Sequence, residues 1–268
     1  MDPARVSERT HTVMGSCRRP GRIAAAWLCA SLVPSLLPAP EPVLPGGGYR
    51  TIEVKDGGAI AGVVKAQPPA EPPKLLHVTK DVDHCGRRID DETLLVSPEG
   101  FLKNAVVSIE DVAEGIAIDT TARPRLENRA CRFQPHVLAA AVGQKIEIVN
   151  GDPILHNTHA KLDGKLTLFN VALPIQNQKI PKTIREPGLL SLQCDAGHLW
   201  MSGFVIAFDH PYFAVTDERG AFAIGRIPPG AYRVRAWHEK LGGQVLEVKV
   251  EPGTTSDLVF DRLVPASP

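Results

Sequence analysis

Cys194, His198 and Met201 fall within one eight-residue stretch, Cys194-Asp-Ala-Gly-His-Leu-Trp-Met201, and Met201 is the only methionine beyond the first 14 residues. A thiolate, an imidazole and a thioether on one short loop are soft ligands. They suit copper, in particular a mononuclear centre with a weak axial sulfur. Such a centre needs a second imidazole from elsewhere in the chain. The stretch Ile148-Val-Asn-Gly-Asp-Pro-Ile-Leu-His-Asn157, which ends in His156 and Asn157, is the natural donor. A lone cysteine, or a methionine beside Trp200, is also ordinary core material. Four ligand types in order on two loops favour the metal reading.

Strands must bring those loops together. Ala59–Val64, Leu75–Val78, Ala105–Ile109, Val137–Val142, Lys145–Val149, Leu189–Gln193, Phe204–Phe208, Tyr232–Trp237 and Val245–Val250 are short β-branched or apolar runs, many ended by Gly, Pro, Asn or Asp. No stretch keeps a helical period for the roughly 10–12 residues a helix needs. The chain therefore reads as all-β, a sandwich or barrel. Residues Val137–Asp152 read as strand, Gly143 turn, strand and then a loop carrying His156, while the Cys194 loop lies between two strands. Two loops at one end of a sandwich bring His156, Cys194 and His198 together.

The remaining histidines are less suited. His159, three residues after His156 on extended chain, falls on the opposite face. His136 follows Pro135 at a strand start and reads as structural. His238 ends a strand near the C-terminus and could reach the copper end, although a polar strand-end residue is the simpler reading.

The first forty residues differ from the rest. Arg18, Arg19 and Arg22 precede an apolar run, Ile23–Leu37, which reads as an export signal with Met14 as an alternative start and Ala39 as a candidate cleavage position. The run is short and proline-interrupted beside the about 20 residues of a membrane span; an uncleaved anchor is the alternative. The whole chain balances 30 basic against 30 acidic residues, with no bulk bias toward nucleic acid or acidic membrane. Without residues 1–39 it carries 25 basic and 28 acidic residues.

Cys17 and Cys29 belong to the leader. Of the three other cysteines, Cys194 sits among ligand types, which leaves Cys85 and Cys131 for a disulfide in an oxidising compartment. The rival reading gives Cys131, five residues before His136, to a second metal site.

Phe133-Gln-Pro-His136, Val142-Gly143, Val149-Asn-Gly-Asp152, His156-Asn157 and then Cys194, His198 and Met201 resemble the plastocyanin-like cupredoxin family, over roughly residues 100–208. The resemblance implies a Greek-key β-sandwich with His156, Cys194, His198 and Met201 in the copper-ligand places. It also implies that Asn157 braces the two ligand loops by hydrogen bonding. Three residues separate Cys194 from His198, between the two of plastocyanins and the four of azurins. The His198–Met201 spacing is that of the short amicyanin loop. A dinuclear centre of the cytochrome oxidase type needs two cysteines on this loop, and Cys194 is alone.

Farther on, Val215-Thr-Asp-Glu-Arg-Gly-Ala-Phe-Ala-Ile224, Ile227-Pro-Pro-Gly-Ala-Tyr-Arg-Val234 and Trp237-His-Glu239 resemble carboxypeptidase regulatory-like (transthyretin-like) β-sandwich domains, which carry no peptidase chemistry. The combination is similar to exported bacterial proteins of the methylamine-utilisation or plastocyanin-like type.

The expected organisation is an export signal or anchor over 1–39, a cupredoxin-like copper domain with an N-terminal β extension over 50–208, and a small β-sandwich module over 209–263. The expected function is a periplasmic carrier of single electrons between redox proteins, with one mononuclear copper. Leu199 and Trp200 would lie in an apolar docking surface of the small kind that weak electron-transfer encounters use. No hydrolase motif or second Cys–His cluster points to an enzyme. Copper capture or delivery, or an envelope adaptor role without redox turnover, is the alternative. Nucleic acid is not an expected partner, and a membrane is one only through an uncleaved N-terminal segment.

Overall fold

The computed structural model describes residues 48–69 and 73–264; the expected export signal, with Cys17 and Cys29, lies outside them. The chain opens with β1 (Arg50–Thr51), β2 (Gly58–Val64), β3 (Leu75–His77), a one-turn helix α1 (Val82–Cys85), β4 (Arg88–Asp90), β5 (Val106–Glu110) and β6 (Glu114–Gly115). Then come β7 (Arg125–Arg129), β8 (Arg132–Gln134), β9 (Val137–Ala141), β10 (Lys145–Asn150), β11 (His156–Leu162), β12 (Leu166–Leu173), β13 (Lys179–Thr183), β14 (Gly188–Gln193) and β15 (Ser202–Phe208). The last strands are β16 (Phe213–Val215), β17 (Ala221–Ile227), β18 (Gly230–His238), β19 (Gly242–Val250) and β20 (Thr255–Phe260). The all-β class is as expected. Among the described residues no helix is long and apolar enough to cross a membrane.

Strands β7–β15 build a β-sandwich from two sheets, ordered β13-β10-β7-β8 and β12-β11-β14-β15-β9. Along β15, buried and less buried residues alternate, as a strand with one face on a core requires. Leu126, Phe133, Ile146 and Ile148 from one sheet meet Ala160, Leu173, Leu190, Leu192 and Val205 from the other. The turn from β9 to β10 changes sheets at Gly143, whose φ of +90° favours a residue without a Cβ.

The remaining strands correct the division at residue 208. β2, expected in the N-terminal extension, and β5, expected in the copper domain itself, pair instead with the C-terminal strands. β5 lies between β16 and β18, and β2 between β17 and β20. Sheets β16-β5-β18-β19 and β17-β2-β20 enclose a second core that includes Ile60, Val64, Val107, Ile109, Tyr212, Phe222, Val234 and Phe260. The physical reason is size: roughly fifty residues bury too little apolar surface to stand alone. Two early strands complete the core. The first sandwich is thus inserted between β5 and β16. The modules touch through a Phe204–Trp237 edge contact and a Phe208–Phe213 stack.

The connection from β2 to β5 leaves its own module. β3, α1 and β4 form a strap that packs on the first sandwich, where Val78, Ile89 and Cys131 gather Ile154 and Trp200 into a small apolar cluster. The Cys85–Cys131 disulfide joins strap to sandwich across 46 residues. A closed loop of that length contributes about 2–4 kcal/mol. With its sulfur in that bond, Cys131 is no ligand for a second metal site, and His136 pairs with Glu239.

Candidate metal centre

The first ligand-type residue is set by Asn150, the fully buried last residue of β10. Its Nδ2 donates to the carbonyls of Ile154 (2.9 Å) and Leu173 (2.8 Å), and its Oδ1 accepts the Asp152 N–H (3.0 Å). The chain is clamped there before His156. His156 was expected on a loop; it is the first residue of β11, paired with Leu173 of β12. The second loop leaves β14 at Cys194, and Gly197 (φ +93°) reverses the backbone before His198. The Met201 N–H donates to the His198 carbonyl at 2.9 Å and closes the turn.

His156, Cys194 and His198 converge, all buried, with their ligand atoms within 4.8 Å of one another. His198 Nδ1 stands 3.1 Å from His156 Nδ1 and 3.5 Å from Cys194 Sγ. Nitrogen and sulfur ligands bind an ion at about 2.0–2.3 Å, so atoms sharing one ion stand at most about 4.6 Å apart. The two distances fit a shared ion. The donor set, two imidazoles and a thiol, has the softness that copper prefers.

Each ring is held from behind by a carboxylate. His156 Nε2 lies 2.9 Å from Asp152 Oδ2, and His198 Nε2 lies 2.8 Å from Asp81 Oδ2. Asp152 also accepts N–H bonds from Ala130 and Cys131 (2.9 Å each) and pairs with His84 at 3.3 Å. Burial works against its charge, but the His156 ring and these donors outweigh burial and hold its carboxyl well below the usual range. The two rings shift in opposite directions. Burial opposes a charged His156, yet the Asp152 hydrogen bond and the adjacent Cys194 sulfur raise its pKa. Burial, aided by the His156 charge, lowers that of His198 against the pull of Asp81. A metal binds neutral imidazole, so His198 already favours the required form.

Asn157 bonds across to the Cys194 loop and to β12. Its N–H points at Cys194 Sγ (3.3 Å), its Oδ1 accepts the Asp195 N–H (3.2 Å), and its Nδ2 donates to Asn170 (2.6 Å). Met201 and Cys194 are both buried in the first core. Leu199 is 87 % exposed, whereas Trp200 turns inward onto the disulfide, its indole N–H donating to the Cys131 carbonyl at 3.1 Å. Trp200 therefore packs under the strap, and Leu199 alone of the two faces outward.

His159 bonds Asp195 (2.7 Å) and Thr167 (2.7 Å) away from the ligand atoms. His238, the other alternative ligand, is 1 % exposed at the end of β18, and its Nδ1 accepts the Lys240 N–H (3.2 Å). Burial, then the charges of His136 and Lys240, push its pKa down to about 4 from 6.5. The unfolded chain takes up this proton below about pH 6.5, while the folded chain stays neutral to about pH 4. Its stability contribution is intact above the upper value and lost progressively between the two, by up to about 3 kcal/mol. His238→Gln should therefore lose less stability than the native chain between about pH 7 and pH 4.5 in urea unfolding. Equal losses would refute a neutral buried His238.

Sequence reasoning missed Asp152, Asp81 and His84. Asp152 had a signal, four residues before His156 in the same motif. Asp81 had none, since 117 residues separate it from His198.

Residues 199–258 match the family model described as polysaccharide lyase family 4, domain II, a different family from the carboxypeptidase regulatory-like one suggested by Val215–Glu239. No curated protein sequence matches the chain. Similar solved structures include a purple cupredoxin from Nitrosopumilus maritimus, 24% identical over 31% of this chain and 98% of that chain, with a TM-score of 0.28. A reduced amicyanin mutant is 21% identical over 32% of this chain and 83% of its own, with a TM-score of 0.29. A copper-containing nitrite reductase from Thermus scotoductus SA-01 is 20% identical over 37% of this chain, which spans 26% of that enzyme, with a TM-score of 0.29. None of these matches covers half of the chain.

Proposed function

We propose that this chain is a mononuclear copper protein that carries single electrons between redox proteins in an oxidising compartment, the periplasm. The observation that carries the reading is the convergence of Cys194 Sγ with the Nδ1 atoms of His156 and His198 in a buried cluster. Copper held there would supply one-electron exchange between Cu(I) and Cu(II), which a thiolate with imidazoles and a weak axial sulfur supports. Met201, buried on the same loop, would supply a thioether as a further soft donor. Asn150 clamps the approach to His156, and Asn157 ties it to the Cys194 loop. Donors held this way move little when charge changes. Leu199, exposed on the ligand loop, offers an apolar contact for a redox partner. The Cys85–Cys131 disulfide supports an exported location. The second module, read as a carboxypeptidase regulatory-like sandwich, is given no chemistry of its own.

The test is to load the full chain with Cu(II) and cycle it repeatedly between reduced and oxidised states. One copper per chain is expected, with an intense thiolate-to-copper absorption that returns undiminished in each oxidised phase. Rapid loss of Cu(I) to a modest chelator during cycling would overturn the carrier reading in favour of copper delivery.

A further inference from the structure

His198 lies on the loop whose next residue, Leu199, is 87 % exposed, yet His198 itself is fully buried. The His156 and Trp200 rings flank it, and the strap reaches its Nε2. Asp81 enters α1 from left-handed backbone (φ 50°, ψ 37°), a conformation that aspartate tolerates better than most residues. An aspartate at a helix start ordinarily caps it, but this carboxylate makes no capping bond. It reaches His198 Nε2 instead, at 2.8 Å. Three further ties hold the strap in place: the Cys85–Cys131 disulfide, Lys80 Nζ donating to the Ala196 carbonyl (2.6 Å), and His84 pairing with Asp152 (3.3 Å).

We infer that Asp81 is a positioning residue of the metal centre, which accepts the His198 Nε2–H and so leaves Nδ1 free to face Cys194 and His156. The inference rests on the copper reading above. A neutral imidazole carries one N–H; anchoring it at Nε2 fixes the tautomer and puts the lone pair at Nδ1. The negative charge behind the ring also strengthens it as a donor, more for the doubly charged ion than for the singly charged one. The strap thus supplies, from the other module's chain segment, what Asp152 supplies to His156 from within the sandwich.

The test compares Asp81→Asn and Asp81→Ala with Asp83→Asn, an equal charge change at an exposed position of the same short helix. The readouts are Cu(II) and Cu(I) affinity, reduction potential, and the ring nitrogen resonances of His198 in the diamagnetic Cu(I) protein. Loss of such an outer hydrogen-bond partner typically costs about 10–100-fold in metal affinity. Asp81→Ala is expected to lose that for Cu(II) and less for Cu(I), which raises the potential by about 59 mV per tenfold difference. Asp81→Asn should raise it with less change in the ring resonances, and Asp83→Asn should leave both as they were. An unchanged potential with unchanged His198 resonances in Asp81→Ala would overturn the inference, as would an equal effect from Asp83→Asn. Failure of the copper reading would show separately, as no thiolate-to-copper absorption in the unaltered chain. The His198 tautomer of the metal-free protein then decides alone: retention of Nε2–H in Asp81→Ala overturns the inference, and its loss sustains it.

Discussion

With serine in place of Cys194, the Cu(II)-loaded chain is expected to lose its intense visible absorption altogether. The absorption comes from the thiolate, and Cys194 is the only free cysteine among the described residues. A serine hydroxyl does not ionise near neutral pH, so neither the charge nor the soft donor is replaced. The fold should survive. The side chain is small and 2 % exposed, and the Asn157 N–H that faces the sulfur at 3.3 Å can donate to a hydroxyl instead. Retained β-structure with no colour is thus the expected pair of results, checked by circular dichroism and by visible and paramagnetic-resonance spectra. Met201→Leu should behave differently, keeping the colour while its reduction potential changes. Unchanged colour in Cys194→Ser would sink the site.

The contrast between those two variants follows from what was legible in the sequence. Cys194, His198 and Met201 could be read together because one loop carries them. His156 and Asn157 were legible through the Asn-Gly-Asp approach that precedes them. The strand that begins there was not. β11 runs His-Asn-Thr-His-Ala-Lys-Leu, and His156, Asn157 and Thr158 are all buried although polar, which hides the alternation that marks a strand. β13 was missed for another reason: it contains Pro181 and lies at a sheet edge, where proline is tolerated. Of the strap, the strand β3 and the Cys85–Cys131 tie were legible, but the reach of Asp81 to His198 was not, because side-chain contacts across more than a hundred residues leave no periodic trace. The pairing of β2 with β20 is equally long-range, so the shared second module looked like two separate pieces.

That shared module makes truncation after Phe208 severe. The shorter chain is expected to lose cooperative folding of everything outside the first sandwich. β2 has only β17 and β20 as partners, and β5 only β16 and β18; all four lie beyond the cut. Ile60, Val64, Leu102, Val107 and Ile109, fully or almost fully buried in the intact chain, would lose the core around them. At about 1.5–3 kcal/mol for each large apolar side chain, the loss is on the order of 10 kcal/mol, as large as the whole stability of many domains. Hydrogen exchange should show β2 and β5 amides unprotected in the truncated chain. The three converging residues all lie within the first sandwich, so copper binding should persist if that sandwich stays folded. The strap would keep its ties to the first sandwich but lose its anchorage at both ends through β2 and β5, and Asp81 would hold His198 less firmly. The truncated chain should therefore keep its colour and shift its potential in the direction of Asp81→Ala. Protected β5 amides after the cut would refute the shared core. Loss of the colour from a still-folded first sandwich would show that the second module is part of the site.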